Sequence, residues 1–212
     1  MSTQFEEAPI TEPVPWETDL SERPAEAAWE TWRRSLFEPV RFFRGADPRG
    51  PLGFAIGYAV VFALIGATFT LGWRLVAAAA GMQWGASGGP LGPVAGAMLE
   101  FFLTPFVTVL GLFLWAGLVH LVLMILQGSG GGFRATLRAH AYSAGPAVFN
   151  VVPFLGTLVA AIWSVVIAVI GLREMHRIET WRAVMAILLP IAVIIVFAVV
   201  VAVFVGLAGL LS

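Results

Sequence analysis

From about residue 50 onward the chain is a succession of apolar runs too long for strands or for the helices of a soluble domain. The first covers 52–75, past the twenty or so residues needed to cross about 30 Å of hydrocarbon. A charge-free, glycine-rich connection, GMQWGASGGPLGP at 81–93, leads to an apolar run from Val94 to Leu126. That run is too long for one straight crossing at about 1.5 Å per residue, so a span is predicted over 100–126 with an interfacial or re-entrant piece before it. The next segment, 134–150, is the weakest by hydropathy, because it carries Arg134, Arg138, His140, Tyr142, Ser143 and Asn150 around Gly145 and Pro146. VVPFLG supplies a tight return to a fourth span over 154–172, and a fifth follows over 183–211, interrupted by Pro190. The predicted fold is all-α: a polytopic membrane protein with five transmembrane helices, an N-terminal cytosolic tail and a juxtamembrane amphipathic helix.

The first 50 residues follow other patterns. Residues 1–28 scatter four prolines among acidic side chains, a composition that does not bury enough apolar surface to offset its ordering entropy, and a disordered cytosolic tail is expected there. An acidic start is also unlike a secretory signal. From Trp29 the spacing turns helical. Trp29, Trp32, Leu36, Val40 and Phe43 recur at three- and four-residue steps with Arg33, Arg34 and Arg41 between them, while Pro39 disfavours helix at Glu38 and predicts two pieces with a bend. An aromatic and basic stretch over 29–50, beside a span, is expected to lie in the headgroup layer or on the cytosolic ends of the helices.

Charge sharpens this division. All 12 basic residues are arginine, and 16 of the 25 formal charges fall in the first 50 positions. Arginines precede the first span, open the third (Arg134, Arg138) and separate the fourth from the fifth (Arg173, Arg177, Arg182), whereas the loops 81–93 and 150–156 have none. Positive loops stay cytoplasmic, so the alternation holds only if all five spans exist, with the N-terminus in the cytosol and the C-terminus outside. The arginine-only basic set with abundant Ala, Val and Gly suits a high-GC prokaryotic genome, hence a bacterial inner membrane. A net charge of −1 leaves no basic surface for nucleic acid. The chain has no cysteine, which removes thiolate chemistry and cysteine-ligated metals.

Intramembrane ionisable groups are the natural candidates for function. Arg74 and Glu100 stand at the outer ends of adjacent spans and are placed to pair. His120 and His140 are expected at similar depth, making interhelical hydrogen bonds that fix packing; together with Arg74 and Glu100 they would line the polar route of a small transporter or channel, the alternative reading. Tyr142 and Asn150 complete the intramembrane polar set. The turn QGSGGGF at 127–133 lacks a Walker ending and serves as a connector or, with Arg134 and Arg138, as a site for a lipid phosphate. Gly53 with Gly57, and Gly92 with Gly96, have the spacing of close helix contacts. A partner or headgroup surface is expected from Trp29, Trp32, Arg33, Arg34, Arg41, Arg134, Arg138, Arg173, His176, Arg177 and Arg182. No catalytic constellation, metal site or cofactor site is expected.

The run AYSAGPAVFNVVPFLGTLVAAIWSVVIAVIGLREMHRIETWRAVMAILLP, residues 141–190, resembles the Ypt-interacting protein (Yip) domain, a five-span membrane family, and SLFEPVRFFRG at 35–45 resembles the entry segment of its prokaryotic members. The features that carry the likeness are Tyr142, Ser143 and Pro146, Pro153 with Gly156, Trp163, the Gly171-Leu172-Arg173 run with His176, and Pro190. The resemblance implies a cytosolic N-terminus and a non-enzymatic role as an adaptor or organiser of membranes. Its expected partners are membrane lipid and a cytosolic-side protein or a second copy of the chain. Eukaryotic members bind Rab-type GTPases. The acidic Asp-Leu-Tyr-Gly-Pro type motif of their N-terminal region is absent here, and with it the basis for carrying GTPase binding over. A subunit of a larger membrane complex is a further expectation.

Overall fold

A computed structural model describes residues 13–82 and 92–211. Within them the chain is helical and has no strand. Three short helices lead: α1 (Pro15–Thr18), α2 (Pro24–Phe37) and α3 (Pro39–Gly45). Each begins on a proline, whose fixed φ suits the first turn and whose missing N–H costs nothing there. The break between α2 and α3 falls on Glu38, as Pro39 predicts.

Residues 13–28, expected in a disordered tail, instead form α1 and the start of α2. Composition misled because two apolar side chains, Val14 and Trp16, are enough to anchor the segment: both are buried in the core. Trp16 Nε1 donates to the Phe54 carbonyl and Trp16 N to Thr31 Oγ1. The remainder of the expected tail, residues 1–12, lies outside the described residues.

Four helices are long and apolar enough to cross a membrane: Leu52–Ala79, Val94–Ile125, Leu155–His176 and Thr180–Val205. They belong to α4 (Leu52–Ala79), α5 (Gly92–Ile125), α7 (Leu155–His176) and α8 (Thr180–Leu211). The re-entrant piece expected before residue 100 is absent, since α5 runs unbroken through Pro105, and α8 likewise continues through Pro190. A proline inside a membrane helix forfeits one donor without ending the helix where neighbours hold it straight. At about 1.5 Å per residue α5 is about 51 Å long and exceeds the hydrocarbon thickness, which accounts for the surplus that suggested two elements.

The expected third span is not a continuous apolar helix. It consists of α6 (Gly132–Tyr142) and a 3-10 segment, Gly145–Val151. Pro146 cannot donate to a helix and disfavours α-geometry at Gly145, so the α-helix stops and the tighter turn takes over. The two pieces follow α4. Arg134 Nη2 donates to the Gly50 carbonyl, the oxygen of Tyr58 packs close to Gly145, Asn150 lies against Gly66, and the Val151 carbonyl accepts from Trp73 Nε1.

The core occupies one half of the bundle. Leu36, Phe42 and Phe43 from the N-terminal helices meet Tyr58 and Phe62, Leu123, Tyr142, Ile167, Leu172 and Ile187. The other half is splayed: α8 is exposed on all sides from Ala192 to Val205, and most of α5 shows large apolar side chains. Burying one half against protein and leaving the other, apolar half bare is stable only where hydrocarbon replaces water.

Candidate functional site

The end of the bundle that holds the core also gathers the arginines. Arg44 Nε donates to Glu174 at 2.9 Å, which ties α3 to the last turn of α7. Arg173 also pairs with Glu174. Arg182 Nη1 donates to the Gln127 carbonyl and its guanidinium lies over the Trp181 ring. With Arg134 on Gly50, these contacts bring the start of α4, the end of α5, the start of α6 and the α7–α8 turn to one face. The turn is short: Arg177 takes a left-handed conformation, φ 54°, that ends α7, and only three residues, 177–179, separate it from α8. The stretch between the expected fourth and fifth spans, 173–182, is therefore mostly helix.

The expected surface residues divide. Trp29, Arg41, Arg134 and Arg177 are exposed. Arg33 and Arg34 are half-buried and share Glu30, whose carboxyl Arg33, then Arg34, hold down at about 2. Trp32 is partly covered and donates to the Gly145 carbonyl, and Arg173 and Arg182 are half-buried. Arg138 and His176 are not on the surface at all. Arg138 is fully buried, and His176 is 5% exposed. The charge-dense string around His176 concealed the fact that α7 continues through it with one side against α6.

Arg138 is held by the N-terminal segment. Its Nη2 lies 2.6 Å from Glu17 Oε1, an ion-pair contact, while Nη1 donates to the Pro51 carbonyl at 3.0 Å. Tyr142 donates its hydroxyl to the same Glu17 oxygen, and the Arg138 guanidinium stands 5.6 Å from the Tyr142 ring centroid. Gly50 has no side chain because the guanidinium fills that space, at 2.8 Å from a would-be Cβ. The lipid-phosphate site expected from the glycine turn with Arg134 and Arg138 is thus filled by the protein. Glu17 takes Arg138, and the Gly131 N–H donates to His176 Nδ1.

His120 on α5 makes an interhelical hydrogen bond of the kind expected, with Thr136 of α6. His120 Nδ1 and His176 Nε2 each lie 2.9 Å from Thr136 Oγ1. The Gly131 N–H donates to His176 Nδ1, so the chain of contacts runs from Gly131 through His176 and Thr136 to His120. Among the described residues no group of three or more His, Cys, Asp or Glu side chains is placed to hold a metal ion. His140, one turn farther along α6, meets the edge of Trp115 and has no partner for its buried Nε2.

Arg74 and Glu100 form the expected pair, Nη1 to Oε2 at 2.5 Å. They stand some sixteen residues along α4 from Tyr58, the level of Tyr142, which is about 24 Å. The four ionisable groups expected along one polar route therefore occupy two separate ends. Asn150 is wedged against Gly66 with its Oδ1 unpartnered among the described residues. Gly53 and Gly57 make no close contact, nor does Gly96; the glycines that permit close approach include Gly50, Gly66, Gly131, Gly145, Gly156 and Gly171.

Glu17 and Thr136 escaped the sequence reading, one hidden in an acidic stretch and the other a lone hydroxyl. Trp181, exposed at this end beside Arg182, was also missed, although an aromatic next to an arginine at a span boundary was the available signal.

Residues 33–203 match the family model described as Yip1 domain. No curated protein and no solved structure matches the chain.

Proposed function

The chain belongs to the Yip1 domain family, and from that premise we propose that it is a non-enzymatic membrane organiser that offers a folded cytosolic cap to a protein partner or to anionic headgroups. One observation carries the reading. The helices α1 to α3 are fastened to the arginine-bearing ends of the bundle by Glu17, Trp16 and Arg44, and Trp29, Arg41, Arg177 and Trp181 stand exposed. Clustered arginines attract both acidic protein surfaces and lipid phosphates, and tryptophan favours the headgroup layer.

The cap faces the cytosol, the N-terminus with it, in a bacterial inner membrane. The segment formed by α6 and the 3-10 turn acts as a fifth crossing. Eleven α-helical residues and seven 3-10 residues rise about 30 Å together, enough for the hydrocarbon. Contacts from Gly50 to Trp73 along α4 support that reading. An odd number of crossings keeps every arginine-rich segment cytosolic, in accord with the positive-inside bias. The polar residues of this short segment are shielded by α4, α5 and α7, which is how irregular backbone persists at membrane depth.

The test is photo-crosslinking from positions 29, 41 and 177 in native membranes, followed by extraction in lipid-preserving particles. The expected result is one reproducible protein adduct, or adducts with anionic lipid, from all three positions, lost when Arg41 and Arg177 are changed to Gln. Equal adducts from these and from a site on the splayed half, such as Val196, would overturn it.

A further inference from the structure

We propose that the bundle contains a binding site for the hydroxyl end of a neutral long-chain lipid, in a cavity between α4, α5, α6, α7 and α8. The cavity measures about 410 Å³, within the range of small-ligand sites, and opens beside Val107 and Val165 on the lipid-facing side. Its floor is formed by Ala59, Ala168 and Ile187, all buried.

Four polar side chains line it: Thr108, His140, Ser143 and Ser164. Ser143 donates to the His140 carbonyl. The other three are unsatisfied. His140 is 7% exposed, and its Nε2 is buried without a hydrogen-bond partner. Thr108 and Ser164 make no side-chain hydrogen bond among the described residues. Elsewhere in the membrane helices Thr68, Thr70 and Thr104 each donate to the carbonyl four residues back. That is the usual way a hydroxyl is satisfied in hydrocarbon, where an unpaired polar group is costly. Two free hydroxyls and an unpartnered imidazole around one cavity mark a place where a ligand supplies the missing bonds.

The lining also limits the ligand. It contains no Arg, Asp or Glu, so a phosphate or carboxylate would enter without a countercharge and at high cost. The walls are otherwise Ala, Val, Leu, Ile, Gly and Trp115, which suit methylenes. A hydroxyl both donates and accepts, and it meets an imidazole and two hydroxyls in either sense. The mouth lies about midway along α7, at the depth of acyl chains rather than headgroups, so the occupant arrives from within the bilayer.

The experiment uses the full chain in liposomes with a long-chain alcohol that carries a photoreactive diazirine near the hydroxyl and a terminal alkyne. Labelling is expected on the peptides containing Val107 to Trp115 and Ser164 to Ala168, and unlabelled hexadecanol should displace it. The double change Thr108→Val and Ser164→Ala removes two hydrogen bonds with little change of shape and is expected to lower labelling about tenfold. Gly111 lines the cavity with open space where a side chain would stand, so Gly111→Leu should fill it, abolish labelling and leave the fold intact. Labelling that survives both variants, or that hexadecanol fails to displace, overturns the proposal. Equal labelling by the phosphate ester of the same alcohol does so as well.

Discussion

Arg138 shows how much a single side chain decides here. A fully buried guanidinium is costly without a countercharge, and the acid that supplies it comes from 121 residues away in a segment whose composition resembles a disordered tail. Removing one partner of such a pair leaves the other buried and uncompensated, a cost of about 3–5 kcal/mol. Glu17→Ala and Arg138→Met are each expected to lower thermal stability in detergent and to open α1 to protease. The double change should cost less than the sum of the two, because neither charge is then left alone. Additive losses would show that the pair does not couple. Thr136 follows a similar logic on a smaller scale, since its hydroxyl bridges His120 and His176. The sequence displayed the histidines plainly, but a lone threonine and a lone glutamate carry no pattern, and only folding shows what they bridge. His176 was misread for the opposite reason: arginines and glutamates on either side suggested solvent, although only one face of that turn is wet.

At the scale of elements, hydropathy located α4, α5, α7 and α8, and Pro39 located the α2–α3 break. It overcounted a break before residue 100 and one at Pro190, the second because a long helix in lipid tolerates a proline that a soluble helix would not. Glycine spacing was equally ambiguous. A Cβ on Gly57 meets nothing, whereas one on Gly156 would stand 1.8 Å from the Phe149 carbonyl oxygen, at the turn from the 3-10 segment into α7. Gly57→Ala is expected to leave stability unchanged or raise it by up to about 1 kcal/mol through helix propensity. Gly156→Ala should destabilise by about 1–3 kcal/mol or more, measured by thermal unfolding of the purified protein. The helix α2 has its own pH response. Glu30 is held at about 2 by Arg33 and Arg34, against 4.5 for a free glutamate. A depressed carboxyl stabilises fully above the unfolded value and loses that contribution as pH falls from about 4.5 to about 2. Fluorescence from a variant keeping only the two α2 tryptophans, Trp29 and Trp32, should be steady from pH 7 to 5 and change below 4.5. Glu30→Gln should remove that change; an identical acid transition in the variant would assign it to another carboxylate.

On the scale of the whole molecule, the aromatic core and nearly all the arginines share one end, while the opposite half is left to lipid. Arginine placement in the sequence already implied that the segments before α4, before α6 and after α7 lie on one side, and Arg44 with Glu174 and Arg182 with Gln127 join those segments directly. What hydropathy alone did not convey is how a polar segment of short pieces follows α4 from Gly50 to Trp73; its polarity is buried by neighbours distant in sequence. The central claim, a cytosolic cap on a bundle crossed five times, is open to a direct measurement because the chain has no cysteine of its own. Arg49→Cys, Arg177→Cys and Ser212→Cys are introduced one at a time and labelled with an impermeant maleimide in sealed vesicles of either orientation. The account predicts that positions 49 and 177 react only from the cytosolic side and position 212 only from the opposite side. Position 177 reacting from outside while 212 reacts from the cytosol would reduce the bundle to four crossings and contradict it.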